Sequence, residues 1–481
     1  MSDTRPNILW ICTDQQRFDT LGCYGNTFVH TPNIDRLAQE GVLFEHAYSQ
    51  NPVCTPSRSS FLTGRYPRTT RCRQNGQSIP ENEVLVTRML HDYGYVCGLS
   101  GKLHLSPCNP SACTQSERRI NDGYDEFFWS HDPGDKWLAN QYRQWLRSQG
   151  VESIHSECPH SKYVQYGPPE HHTQTAWCTD MAMSFIKQAA RFDQPWLFSM
   201  NPFDPHHPFD PPREALERYA DIIDTIPLPN YVEGELDNKP IWQQIDHKGS
   251  YGGREQFKHS EIDETDHRWL RAAYWAMIDV IDTQVGRLLD LLEATGQREN
   301  TIVIFTSDHG EMLGDHGIYL KGPYFYDPAV HVPLIISWPG KIKEGQRSKA
   351  LVELFDLAPT VLNACELDRH PGMQARSLWP ILTGETSLDH HRDDVYSEFY
   401  GSNFRHDPRA HITMVRAEEY KLSVAHGQNT GELYDLKKDS NETHNLWDDP
   451  VYKDRKIEMM TRMLDRMAWT VDPLPEREAM W

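Results

Sequence analysis

Cys54-Thr55-Pro56-Ser57-Arg58-Ser59-Ser60-Phe61-Leu62-Thr63-Gly64 brings a thiol, a guanidinium and three serines within about two helical turns. Pro56 suits the first turn of a helix and Gly64 suits its end, so Cys54 falls at a helix N-terminus. Unpaired backbone N–H groups there favour an anion. The position fits a nucleophile or an anion site, and the same spacing also fits a buried cysteine ahead of a short helix. Gly101-Lys102-Leu103-His104 follows an apolar run. On an extended segment Lys102 and His104 project to one side, as two groups sharing an oxyanion must. Asp14 and the pair Asp308-His309 each stand at the end of another apolar run.

The elements that must position these residues read as an α/β core. Asn7 to Thr13 (NILWICT) and Thr301 to Thr306 (TIVIFT) are expected to be buried parallel strands. Functional groups of open α/β sheets collect beyond the carboxyl ends of strands, which makes Asp14 and Asp308 neighbours despite their separation in the chain. Further strands are expected at Tyr95 to Leu99, Trp196 to Met200 and Val332 to Trp338. Helices are expected from Pro32 to Gln39 and from Asp266 to Thr295, the second stopped by Gly296. Alternation of the two element types predicts a large, mostly parallel mixed sheet flanked by helices. Residues of roughly 105–175 and 207–262 are rich in Pro, Gly, His and charge and read as insertions that shape a pocket. After Gly384 short alternating segments, Ile412 to Ala425 and Glu432 to Leu436, predict a small antiparallel sheet. The expected organisation is a catalytic domain over 1–384 and a C-terminal α+β subdomain over 385–481.

Composition narrows the function classes. The 481 residues carry 48 Lys and Arg against 69 Asp and Glu, a net charge of −21, which argues against nucleic-acid binding. An anionic substrate would need a local basic pocket. Arg65, Arg68, Arg71 and Arg73 offer one such source, or else a solvated face. No apolar run reaches the roughly 20 residues that cross a bilayer, and Met1 to Pro6 lacks a secretory start, so a cytoplasmic protein is expected. The ten cysteines include no C-x-x-C pair, which speaks against a disulfide scaffold or a zinc finger.

C-x-P-S-R followed by x-x-L-x-T-G resembles the signature of the type I sulfatases, in the alkaline-phosphatase-like superfamily. The resemblance extends through Pro6 to Asp14, Thr31 to Leu37, Thr306-Ser-Asp308-His309-Gly310, and Tyr319-Leu-Lys321-Gly322 with Asp327 to Pro333. It implies that a maturation enzyme oxidises Cys54 to formylglycine. One hydroxyl of the hydrated aldehyde then attacks sulfur, and the other expels sulfate. It implies a divalent cation on Asp14, Asp308, His309 and the modified Cys54. Oxygen ligands favour Ca²⁺, and the histidine leaves Mn²⁺ or Mg²⁺ open. Gln15 stands where many sulfatases have a second acidic residue; its carbonyl can ligate but brings no charge. Arg58 and Lys102 would hold the nucleophile and the sulfate, and His104 would take the second hydroxyl's proton. Asp204-Pro-His206-His207-Pro-Phe209 resembles the family's P-H-x-P-F element. It would give His206, or His207 instead, to the leaving oxygen together with Lys321. Asn75 stands at a spacing from Cys54 that resembles the phosphonate monoester hydrolases, relatives with hydroxyl residues in place of the Lys102/His104 pair. The expected activity is hydrolysis of an aryl or carbohydrate sulfate monoester, with phosphonate monoester or phosphodiester hydrolysis as the alternative. A homo-oligomer is compatible with the sequence.

Overall fold

The computed structural model describes residues 5–152, 154–192, 194–253, 257–402, 406–417, 419–477 and 479. In chain order the elements that matter here are β1 (Asn7–Thr13), α1 (Pro32–Gln39), β2 (Val42–Tyr48), α2 (Cys54–Thr63), β3 (Val96–Gly101) and β4 (Glu126–Trp129). There follow α3 (Gln174–Ala189), β5 (Trp196–Asn201), α4 (Glu264–Ala294), β6 (Thr301–Ser307), β7 (His331–Val332), β8 (Leu334–Ser337), β9 (Gln346–Glu353) and α5 (Leu357–Ala364). The C-terminal part holds β10 (Asp394–Tyr400), β11 (His411–Ala417), β12 (Tyr420–Ala425), β13 (Thr430–Asp435) and α6 (Lys453–Trp469).

Nine strands form one sheet in the order β9-β2-β8-β6-β1-β5-β3-β4, with β7 paired to β2. Only β7 and β8 run against their neighbours; the pairs β1/β5, β1/β6, β3/β5, β3/β4 and β2/β9 are parallel. Alternate residues of β1 enter different apolar layers. Ile8, Trp10 and Cys12 pack with Phe61 and Leu62 of α2 and with α5, whereas Leu9 and Ile11 pack with α3 and α4. A strand covered on both faces must be apolar throughout, which is why NILWICT has no polar alternation. The chain is thus a three-layer α/β sandwich with a second sheet, β10-β11-β12-β13, antiparallel throughout.

Several expectations need correction. Val332 to Trp338 is two strands, since Pro333 cannot donate to a ladder and breaks the run. Strand β2 went unanticipated because Glu45 and His46 interrupt VLFEHAY, yet it lies inside the sheet. The region 105–175 is more than a surface insertion, for β4 within it extends the main sheet. No described helix is long and apolar enough to cross a membrane.

Candidate active site

Strands β1 and β6 run in register from Asn7 beside Thr301 to Thr13 beside Ser307, so the next residue of each is carried to the same place. Asp308 N donates to the Thr13 carbonyl (3.2 Å), and Gln15 N donates to Asp308 Oδ1 (3.0 Å). Both carboxylates are fully buried. Burial works against ionising Asp14, but Lys102, His206, Lys321 and Arg58 outweigh it and hold its pKa well below the ordinary range. Burial and the charge of Asp14 push Asp308 the other way. Two carboxylates at one spot divide their titration in this way, because the charge of one raises the proton affinity of the other.

Helix α2 aims its first turn at this pair. Asn75 Oδ1 accepts from Thr55 N (2.9 Å) and so caps the helix, while Gly64 ends it at φ 67°. The Cys54 sulfur lies 3.1 Å from His309 Nε2, 3.1 Å from Lys321 Nζ, 3.5 Å from Lys102 Nζ and 3.7 Å from Asp14 Oδ1. Burial and Asp14 push this thiol up, yet Lys102, Lys321 and His309 overcome them and bring its pKa down to about 5. The position therefore favours a negatively charged atom. One turn on, Arg58 Nε meets Asp308 Oδ2 (2.8 Å), Nη2 reaches Asp14 Oδ2 (3.4 Å), and Nη1 donates to the Lys102 carbonyl (2.9 Å). Lys102 Nζ also pairs with Asp14 Oδ2.

Each polar ligand is held by a second contact. His309 Nδ1 donates to the Gly310 carbonyl (2.9 Å), which turns Nε2 towards Cys54 as the nitrogen that a bound cation would engage. Gln15 gives its amide N–H to the Glu311 carboxylate, so its carbonyl oxygen is the atom turned to Lys321 Nζ (2.7 Å). Glu311 also takes the amide of Leu313 (2.8 Å), which with the Leu320 amide ties the Lys321 segment to the same carboxylate. Gly310 must be glycine, because a Cβ there would stand 1.9 Å from the Pro328 carbonyl. Ligand atoms of Asp14, Cys54, Asp308 and His309 lie within 4.8 Å of one another. Two carboxylates, an imidazole lone pair and a correctly turned amide oxygen fit a hard divalent cation.

Above this floor opens a cavity of about 650 Å³. Cys54, Asn75, Lys102, His104, His206, His207 and Lys321 line it. All twelve candidate residues thus gather at one site, seven of them on the cavity and the rest beneath it. Lys102 and His104 do not share an extended segment, however. Strand β3 ends at Gly101, and His104 lies at φ 58°, in the left-handed region. A loop turn, and not strand alternation, delivers both to the cavity. Buried Glu117 accepts from the amides of His104 and Leu105 (3.0 Å each) and from Trp129 Nε1 (2.9 Å), which stabilises that turn. His206 Nδ1 donates to the His207 carbonyl (2.6 Å), and burial, then Lys321, depress its pKa well below the ordinary value. Its free nitrogen is an acceptor until a negative charge arrives.

The arginine run divides: Arg71 and Arg73 are exposed, as a solvated face would have them, whereas Arg65 and Arg68 are tied into carboxylates away from the cavity. Arg65 pairs with Glu83 (3.2 Å) and Asp472 (2.8 Å), and Arg68 with Glu398 (2.6 Å). Arg71 donates to Asn82 (3.0 Å). The local positive field comes from Arg58, Lys102 and Lys321. Sequence reasoning missed Glu311, although it follows Asp308-His309-Gly310 directly, and Glu117, which no periodicity marks.

Residues 6–367 match the Sulfatase family, and residues 314–468 match the N-sulphoglucosamine sulphohydrolase C-terminal family. The chain belongs to the sulfatase family, within the alkaline-phosphatase-like superfamily, and is a sulfuric ester hydrolase. It is 32% identical to the uncharacterized sulfatase YidJ of Escherichia coli (strain K12) over 99% of this chain and 90% of that one. It is 29% identical to an arylsulfatase of Clostridium perfringens (strain 13 / Type A), covering 96% and 94%. Among solved structures, the phosphonate monoester hydrolase SpPMH from Silicibacter pomeroyi superposes with a TM-score of 0.82 at 25% identity, covering 97% of this sulfatase and 96% of that chain.

Proposed function

We propose that this sulfatase hydrolyses an aryl or carbohydrate sulfate monoester at the Cys54 cavity, with Cys54 matured to formylglycine. The observation that carries the reading is the convergence of Lys102, Lys321 and His309 on the Cys54 sulfur above a buried carboxylate pair. The matured side chain supplies the attacking oxygen, and a divalent cation on Asp14, Gln15, Asp308 and His309, with Ca²⁺ favoured, supplies charge to hold that oxygen and the sulfate.

This chain's own residues do the rest. Arg58 keeps the two carboxylates in place and holds the loop carbonyl of Lys102, so the Lys102 ammonium is directed at the nucleophile. Lys102 and Lys321, both buried, neutralise charge that builds on the sulfuryl oxygens at the cavity floor, where such contacts are stronger than in bulk water. An incoming sulfate ester raises the proton affinity of His206, which then serves the departing oxygen together with Lys321. His104, fixed by the Glu117 clamp, accepts the proton released when sulfate is expelled. His207 stacks on His206 with ring centroids 4.2 Å apart and lines the organic part of the substrate site. Asn75 holds the helix start through its carbonyl and leaves its amide N–H for substrate. We read 1–384 as the catalytic unit and 385–481 as the smaller C-terminal unit.

The likeness to SpPMH supports a second reading, phosphonate monoester or phosphodiester hydrolysis on the same scaffold. Lys102 and His104 favour the sulfatase. The test is a comparison of kcat/KM on matched aryl sulfate, aryl phosphonate and phosphodiester substrates, with peptide mass spectrometry for the aldehyde at Cys54. Sulfate preference with the aldehyde present is expected. A thiol at Cys54 in fully active enzyme, or a clear preference for phosphonate, would overturn the reading.

A further inference from the structure

Part of the cavity wall is formed by His104, Cys108 and His131, and of these only His104 has a place in the chemistry above. One ring nitrogen of each histidine and the Cys108 sulfur lie within 4.8 Å of one another. His104 and His131 are 6% and 9% exposed, and their rings meet edge to face with centroids 4.5 Å apart. The Nδ1 atom of each is buried without a hydrogen-bond partner. Cys108 is half-buried and donates its S–H to the Ser106 carbonyl (3.5 Å). Orphaned buried nitrogens are rare, because desolvation is then uncompensated. Two buried imidazoles, each with an unpartnered nitrogen, clustered with a sulfur form a donor set rather than a packing arrangement.

We propose that His104, Cys108 and His131 form a second metal site, specific for a borderline cation of the Zn²⁺ class, whose occupation inhibits the enzyme by engaging His104. Two imidazoles and a thiolate suit Zn²⁺, with a fourth position open to the cavity, whereas the oxygen-rich floor suits a harder ion. Zinc bonds of about 2.0–2.3 Å require the donors to draw slightly closer, and Cys108 lies outside any helix or strand, where no ladder or helical hydrogen bonds fix its backbone. On binding, the Cys108 S–H bond breaks, its proton goes to solvent, and the sulfur electron pair forms the metal bond.

The first arm of the test is independent of turnover. Cys54→Ala removes the other cavity thiol, and Ca²⁺ in excess occupies the floor. Stoichiometric Co²⁺ should then produce the near-ultraviolet charge-transfer band of a thiolate-bound cobalt. The band should vanish in Cys54→Ala/Cys108→Ser, and Co²⁺ affinity should fall about tenfold or more in Cys54→Ala/His131→Ala. Near-ultraviolet circular dichroism checks that each variant is folded. No band in folded Cys54→Ala, or a band that survives Cys108→Ser, would overturn the site. The second arm rests on the sulfatase reading: Zn²⁺ should inhibit the matured enzyme, and Cys108→Ser should raise the inhibitory concentration about tenfold or more. Equal inhibition of parent and Cys108→Ser would overturn the regulatory claim while leaving the cobalt result to judge the site.

Discussion

Asp14 and Asp308 leave adjacent parallel strands at matched register, Thr13 beside Ser307, and are fully buried. Lys102 and His104 instead leave the sheet at the end of β3, and His104 sits in a left-handed conformation held by the Glu117 clamp. The floor is thus set by sheet register and the rim by side-chain ties to loops. A register slip in a buried sheet reverses every side chain, so the floor cannot drift without the fold. A loop can be repositioned by one carboxylate. The floor therefore carries the charge arrangement for the reaction, and the rim carries proton handling and substrate shape.

The largest effect expected is on the floor. Cys54→Ala and Cys54→Ser should each lose activity by about 10⁴-fold or more with the fold retained, as when a covalent nucleophile is removed. Asp308→Ala should also release the metal, measurable by elemental analysis. It removes the shorter of the two carboxylate contacts of buried Arg58, leaving Asp14 at 3.4 Å, and should lower stability by about 1–3 kcal/mol, so Asp308→Asn serves as the gentler variant. Full metal stoichiometry in either Asp308 variant would break the assignment of the floor.

Lys321→Ala should reduce kcat by about 10²–10³-fold, because it removes one preorganised charge from Cys54 and from the Gln15 carbonyl. Chelation followed by metal return should restore the parent but not this variant.

Rim substitutions should separate by leaving group. His206→Ala should lose about 10²–10⁴-fold on an alkyl or sugar sulfate and far less on nitrophenyl sulfate, whose departing oxygen needs little acid help. His104→Ala should be impaired alike on both. Equal losses for His206→Ala across leaving groups, with chemistry rate-limiting, would remove it from the acid role.

Glu117→Gln should reproduce a milder His104→Ala, with kcat down about 10–100-fold, KM little changed and no leaving-group dependence. A loss of stability without that kcat pattern would make Glu117 a purely structural residue. The smallest effect expected is for Arg71→Ala, which is exposed and tied to Asn82. Activity within about a factor of two of the parent and stability within about 0.5 kcal/mol would confirm that the arginine run feeds no field to the cavity.

What the sequence by itself determined is the identity of the chemical groups and their carriers. Apolar runs ending in Asp14 and Asp308 announce buried parallel strands, because a strand covered on both faces has no room for alternation. Pro56 and Gly64 bracket a helix because each has one backbone conformation it serves best. The C-x-P-S-R and D-H-G signatures point to the reaction class, and residues 6–367 match the family that bears them. Tertiary structure decided what depends on distant partners. Lys102 and His104 face one cavity through a loop turn and not through strand alternation, since Glu117 fixes the backbone there. Gln15 presents its carbonyl because Glu311, almost 300 residues away, can only accept a hydrogen bond. Of the arginines after the motif, equivocal in the sequence, Arg65 and Arg68 are neutralised by Glu83, Glu398 and Asp472, and Arg71 and Arg73 stay exposed. Local propensity is written in neighbouring residues, whereas the orientation of a polar group is set by whichever distant group the fold brings within hydrogen-bond reach.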